Sequence, residues 1–424
     1  MNVSSPGVAK LHPGVTRVNP VAREPPEKKA EGSPGAKTGP NGLLSFPERS
    51  RVVVVGSGLV GSTYAYTLLV EEVADEICLI DADKQKASGQ SLDLGHAVPF
   101  ARKTAIWAGT THDLGSADIV VIAAGASQKP GQSRMDLLRE NSRIVWEISR
   151  DVGRLNRRAV LLVVTNPVDV MSYVAWRASA LPPNQVIGSG TLLDTARLRW
   201  SIAGELGVDP RSVHVHVLGE HGDSEVPAWS LGNVAGIPLD SFPAMGRQKR
   251  RELFQRVRDA AYHIIDTKGA TYYAIALALT RLTQAILKDS RTVLSVSTLL
   301  REYQGVREVY AGMPCVIGRR GVIQVLDLPL TGQESRKLRR SLEILKRAQE
   351  SLNLEALRAD GIQEEWPRNV SFSSFETAAD TGSGSIPDTP QSERSSPHYP
   401  RWRHPAPIST LRRNIRRPQR PGTI

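Results

Sequence analysis

Short apolar runs separated by helix-length segments dominate the chain from residue 51 to about 168. RVVVV (51–55), EICLI (76–80), ADIVVIAA (117–124) and AVLLVV (159–164) are nearly continuous rather than alternating, and rich in β-branched residues. Strands of this kind suit a parallel sheet buried on both faces by intervening helices. The pattern predicts a doubly wound α/β domain over 49–168. Beyond it the periodicity changes. HVHVL (214–218) alternates as a half-solvated strand does, and 251–287 reads as a long helical stretch interrupted near Gly269. Leu338, Leu342, Ile344, Leu345 and Leu352 recur at helical spacing, predicting a helix over 333–358. A mixed α+β domain is expected over 169–366. No internal repeat is visible.

The flanks, 1–48 and 367–424, are rich in Pro, Ser, Gly, Thr and charge, without apolar periodicity, and are expected to be disordered tails. They also account for most of the net charge of +11: residues 1–50 carry +3, residues 368–424 carry +5 and the long middle only +3. A basic tail on a nearly balanced body argues against a nucleic-acid groove. No apolar run is long enough to span a membrane or to serve as a signal peptide, so a cytoplasmic protein is expected. The two cysteines, Cys78 and Cys315, lie in apolar surroundings and read as buried reduced thiols. No Cys/His cluster suggests a metal.

Gly56-Ser57-Gly58-Leu59-Val60-Gly61 directly follows the first strand and opens a helical segment. In that context the first glycine allows a tight turn, the second lets a pyrophosphate approach the backbone and the third lets helix and strand pack. The free N–H groups at the helix start favour an anion. Asp81 ends the second strand, where a carboxylate takes the ribose hydroxyls of NAD and repels the extra phosphate of NADP. A Rossmann-type NAD site is predicted.

Gly219-Glu220-His221-Gly222-Asp223-Ser224 holds a histidine on an uncrowded turn after a strand. His221 has the side chain best suited to exchange a proton near neutrality; the bland alternative is a surface histidine. Asp194 and Arg197 stand three apart on one helical face. The acid can hold an imidazolium and the arginine can clamp a carboxylate, or the two can be an ordinary ion pair. Residues 125–134, polar and bounded by glycines, read as a lid carrying Arg134 or as a solvated loop.

Taken together, GSGLVGS, DLGHA (93–97), AGASQKPGQSR (124–134), TNPVDV (165–170), LDTARLR (193–199), GEHGDSEVPAWS (219–230) and TKGATYYAIA (267–276) resemble the lactate/malate dehydrogenase family, on its allosteric bacterial lactate-type branch. The resemblance spans about 50–365. It implies reversible hydride transfer between NADH and pyruvate giving L-lactate, the last step of fermentative glycolysis. The roles it implies are His221 as proton donor and acceptor with Asp194 as its partner, Arg197 on the substrate carboxylate, and Arg134 polarising the keto oxygen. Asn166 stands beside substrate and nicotinamide, its bond to Pro167 usually cis, and Thr271 and Ile275 line the pockets. Gln128 stands where the malate enzymes carry arginine; a neutral residue there suits a methyl group and rejects a second carboxylate. Arg199 and His214 match a fructose 1,6-bisphosphate site between subunits, implying an allosteric homotetramer; otherwise they are a surface arginine and a strand histidine. The two tails depart from the family.

Three other readings remain open at this level. A dehydrogenase for malate or a bulkier 2-keto acid would use the same machinery, although Gln128 opposes malate. An NAD-dependent glycosidase would need a metal site. A binding protein using the Arg-rich tail would not need His221, Arg197 and Arg134.

Overall fold

The computed structural model describes residues 49–101, 103–126, 134–352 and 354–360. Six strands, β1 (Arg51–Val55), β2 (Glu76–Ile80), β3 (Ala105–Ala108), β4 (Ile119–Ile122), β5 (Val160–Val163) and β6 (Val186–Gly188), run parallel in the order β3-β2-β1-β4-β5-β6. Helices α1 (Leu59–Val70), α2 (Lys84–Ala97), α3 (Arg134–Leu155) and α4 (Val168–Ser179) make the crossovers. All of β4 and β5 is buried, which is why their sequences do not alternate. The strand order reverses between β1 and β4, the place where such sheets open a crevice at their carboxyl ends. The backbones after these two strands nearly touch there: a Cβ on Gly56, at φ +104°, would fall 2.4 Å from the Ala124 amide nitrogen.

The chain continues through α5 (Leu192–Leu206), the two-residue strands β7 (Val213–His214), β8 (Val217–Leu218), β9 (Val226–Pro227), β10 (Asn233–Val234) and β11 (Ile237–Pro238), and helices α6 (Arg247–Lys268) and α7 (Tyr273–Leu287). The helical stretch breaks at Gly269, φ +85°, as its sequence suggested. A long hairpin, β12 (Thr292–Tyr303) and β13 (Val306–Gly318), then adds with β14 (Gly321–Val325) to the β6 edge through Ser297 and Gly188. The result is one nine-stranded sheet, parallel on one side and antiparallel on the other. Its core is shared by both halves, while a smaller cluster lies among α5, β7, β8 and α6.

Two sequence expectations are corrected. HVHVL is not one strand: β7 pairs with β10 and β8 with β9, with Val215 and His216 between. The alternation is real, since Val213, Val215 and Val217 are all buried, but the hydrogen-bond partner changes midway. The helix expected over 333–358 runs from α8 (Gly332–Glu350) to α9 (Leu354–Asp360) with a break after Ser351. Cys78 and Cys315 are free and buried, as expected.

Candidate active site

The glycine turn is built as a cradle. Gly58 is the N-cap of α1 and offers no side chain to the helix start. A Cβ there would meet nothing within 4 Å, whereas one on Gly61 would lie 1.8 Å from the Gly56 carbonyl oxygen. Open space before free helical N–H groups fits a pyrophosphate, and tight contact at the third glycine fits helix–strand packing. Leu59 and Val60 form the first turn behind it. Asp81 accepts hydrogen bonds from Ser57 N at 2.6 Å and Ser57 Oγ at 2.8 Å, and lines the same crevice as Gly56 and Gly58. The residues present fit NAD.

Asp194, 3% exposed in the first turn of α5, faces two groups at once. Its Oδ2 lies 2.5 Å from His221 Nδ1 and its Oδ1 accepts Arg197 Nη1 at 3.0 Å. Burial pushes the Asp194 carboxyl up, but the charges and hydrogen bonds of His221 and Arg197 outweigh it and hold the group below its ordinary value. Burial pulls His221 down. The Asp194 charge and hydrogen bond, with smaller help from Asp169 and Glu225, more than offset this and raise it to about 9. At neutral pH the ring is an imidazolium whose Nδ1–H is committed to Asp194, leaving Nε2–H as its other donor.

The His221 loop is anchored on three sides. Gly219, φ +85°, bridges Gly312 of β13, where a Cβ would press Ser341 Oγ to 2.5 Å. The Glu220 amide donates to Ser341 Oγ of α8 at 2.9 Å, and the His221 amide donates to Asp169 Oδ2 of α4 at 2.8 Å. Glu225 is buried nearby; burial and then the Asp194 charge push it up to about 8.

The other predicted residues divide. The Asn166–Pro167 bond is cis, and the Asn166 carbonyl accepts Asn141 Nδ2 at 3.0 Å. Asn141 also accepts the Ala126 amide at 2.8 Å, tying the end of the β4 loop to Asn166. Thr271, between α6 and α7, lines one cavity with Arg197. Ile275 is half-buried against the main core. Arg199 sits apart from Arg197 and donates Nε–H to the Val215 carbonyl at 3.2 Å, and His214 is exposed on β7. Gln128 and the side chain of Arg134 lie outside the described residues. Among the described residues no group of His, Cys, Asp or Glu is arranged to hold a metal.

Sequence reasoning missed Asp169, Asn141 and Glu225. Asp169 lay inside a motif already singled out, but its partners are 52 and 128 residues away, and no spacing shows that.

Comparison with known proteins agrees with this geometry. Residues 50–188 match the family model for the lactate/malate dehydrogenase NAD binding domain, and 191–355 that for the lactate/malate dehydrogenase alpha/beta C-terminal domain. The L-lactate dehydrogenase of Thermoanaerobacter sp. (strain X514) is 44% identical over 310 residues, 72% of this chain and 100% of the relative. That of Priestia megaterium is 44% identical over 308 residues, 72% of this chain and 97% of the relative. Among solved structures, the minor L-lactate dehydrogenase from Enterococcus mundtii is 39% identical with TM-score 0.70, covering 73% of this chain and all of its own. With the strand order, the glycine cradle and the Asp194–His221–Arg197 cluster in place, and both family domains matched over 50–188 and 191–355, this chain belongs to the lactate/malate dehydrogenase family.

Proposed function

We propose that the protein catalyses reversible, NAD-linked interconversion of pyruvate and L-lactate. The observation that carries this is one buried carboxylate, Asp194, holding a proton-exchanging ring on one oxygen and a guanidinium on the other. When bound, NAD supplies the hydride donor or acceptor. His221 gives its Nε2 proton to the carbonyl oxygen during reduction and takes it back in reverse. Arg197 clamps the substrate carboxylate with the N–H donors that Asp194 leaves. Arg134 polarises the carbonyl, Asn166 stands beside the reacting carbon, Thr271 and Ile275 line the pocket, and Gln128 meets the methyl group. That Thr271 and Arg197 line one cavity supports the pairing of these two residues. The test is a panel of pyruvate, oxaloacetate, 2-oxobutyrate and 2-oxoisocaproate with NADH and NADPH. Pyruvate with NADH should give the highest kcat/KM. Preference for oxaloacetate, or equal use of both cofactors, would contradict the reading of Gln128 or Asp81.

The finer reading is a cytoplasmic homotetramer acting at the end of fermentative glycolysis and activated by fructose 1,6-bisphosphate through Arg199 and His214. Two buried free thiols suit a reducing compartment, and no described helix is long and apolar enough to cross a membrane. The regulatory reading is supported by a local excess of positive charge. Arg199 and His214 both act on His216, which burial and then those two neighbours pull down to about 4, so the ring is neutral near pH 6 and the cationic character there comes from Arg199 and a protonated His214. Pyruvate saturation at pH 6 should shift to lower KM with the bisphosphate, by a coupling of about 1–3 kcal/mol, and Arg199→Gln should abolish the shift. Identical wild-type curves would remove the effector, and a monomer in light scattering would remove the tetramer.

A further inference from the structure

Two carboxylates from two helices hold His221. Asp194 takes the ring and Asp169 takes the main chain. Asp169 Oδ2 accepts the His221 N–H at 2.8 Å, and its Oδ1 accepts the Ser297 hydroxyl at 2.6 Å. Asp169 is 2% exposed and Ser297 fully buried. Asp169 stands in the first turn of α4, two residues after the cis Asn166–Pro167 bond, and Ser297 is the β12 residue paired with Gly188 of β6. One carboxyl group therefore joins the Asn166 turn, the seam between the parallel and antiparallel strands, and the histidine loop.

Neither hydrogen bond requires a charge. An asparagine could accept the His221 N–H through its oxygen and donate its amide to Ser297 Oγ. The carboxylate is the costlier choice. Burial pushes Asp169 up to about 6, although Ser297, the His221 amide and the His221 charge all pull it down. Since the folded value lies above the ordinary one near 3.8, the contribution to stability is present below about pH 3.8 and lost as pH rises through about 6. At neutral pH the ionised group is a burden on folding. A residue needed only for packing has no use for that charge, whereas a residue acting on His221 does.

We propose that Asp169 is a positioning residue for the proton-transferring histidine, fixing the His221 main chain against the Asn166 turn and adding its negative charge to that of Asp194 behind the ring. This rests on His221 being the proton carrier. The other charged groups facing the pair are Asp194 and Arg197 from α5, Glu220 and Glu225 from the loop itself, and Arg258 of α6, which faces Glu225. Ser297 of β12 is neutral. Glu225, which burial and the Asp194 charge push up, acts on the ring less than Asp194 and Asp169 do.

The test is Asp169→Asn in the full-length protein. The His221 ring titration is followed by NMR of 13C-labelled histidine, alongside the pH profile of kcat/KM for pyruvate. The His221 midpoint should fall by about 0.5–1 pH unit, so kcat/KM above the alkaline limb drops about three- to tenfold, with KM for NADH unchanged. Tm at pH 8 should hold or rise. A purely structural Asp169 would lower Tm and leave the His221 midpoint in place, which overturns the proposal. If the variant does not fold, Ser297→Ala serves instead. The His221 amide should then titrate with Asp169 at a higher pH than in the wild type, and an unmoved amide overturns the proposal. His221→Asn run in parallel separates the two failures. If it keeps turnover, the proton-transfer reading falls; if it is dead while Asp169→Asn leaves the ring titration unmoved, only the Asp169 proposal falls.

Discussion

Asp194 sits between His221 and Arg197 and serves both, with Oδ2 2.5 Å from the ring and Oδ1 3.0 Å from the guanidinium. A single buried charge thus fixes the His221 ring and the Arg197 guanidinium relative to each other. Removing that charge should therefore disturb both substrate binding and proton transfer.

Asp194→Asn should lower kcat and raise KM for pyruvate together. The His221 titration should drop from about 9 towards the ordinary histidine value, because its largest favourable partner is lost. Steady-state kinetics across pH checks this; a change confined to KM would assign Asp194 to the arginine alone.

Arg197→Lys keeps the positive charge but loses the fork that grips a carboxylate with two bonds. KM for pyruvate should rise roughly 10–100-fold, as for loss of a charged hydrogen bond worth about 1.5–3 kcal/mol. NADH binding, measured by fluorescence, should stay as it was. An unchanged KM would place the substrate carboxylate elsewhere.

Much of this was legible in the sequence because it is local. The glycine turn, the strand that precedes it, and the Asp194–Arg197 spacing are each set within a few residues, and all appear where expected. The docking of the β12–β13 hairpin onto β6 was not read, since Ser297 and Gly188 lie more than a hundred residues apart. The break between β7 and β8 was missed for a related reason: inward valines record burial, not which strand supplies the hydrogen bonds. Asp169 and Asn141 act through isolated pairs of long-range bonds that leave no periodic trace.

The glycine cradle predicts a contrast between two similar changes. Gly58→Ala places its methyl in open space, so the unfolding free energy should hold within about 0.5 kcal/mol, leaving Tm nearly unchanged, while NADH binding weakens. Gly61→Ala drives a methyl into the Gly56 carbonyl and should destabilise the fold itself. Thermal melts and NADH titrations distinguish them; equal loss of NADH affinity and Tm in both would refute the cradle.

Stability should depend on pH through the Asp194–His221 pair. His221 is raised above its ordinary value of 6.5, so its contribution is full below about 6.5 and lost as pH rises through about 9. Asp194 is lowered, so its contribution is present above the ordinary carboxylate value and lost as pH falls through its folded one. Tm of the wild type should decline between pH 7 and 9.5 more steeply than that of His221→Asn. Parallel slopes would mean the pair is not coupled as described.

Gln128→Arg should move the preference from pyruvate towards oxaloacetate by several powers of ten, since a charged pair in a closed site is worth roughly 2–5 kcal/mol when one member is missing. The ratio of the two kcat/KM values is the readout, and an unchanged ratio would show that Gln128 does not face the substrate.

The central claim is that His221, held by Asp194, carries the proton of a dehydrogenase reaction. The most direct measurement is pyruvate reduction by His221→Asn with NADH binding followed on the same sample. Turnover should fall by about 10²–10⁴ while NADH affinity stays within about twofold of wild type. Wild-type turnover in a folded, NADH-binding His221→Asn protein would contradict the account.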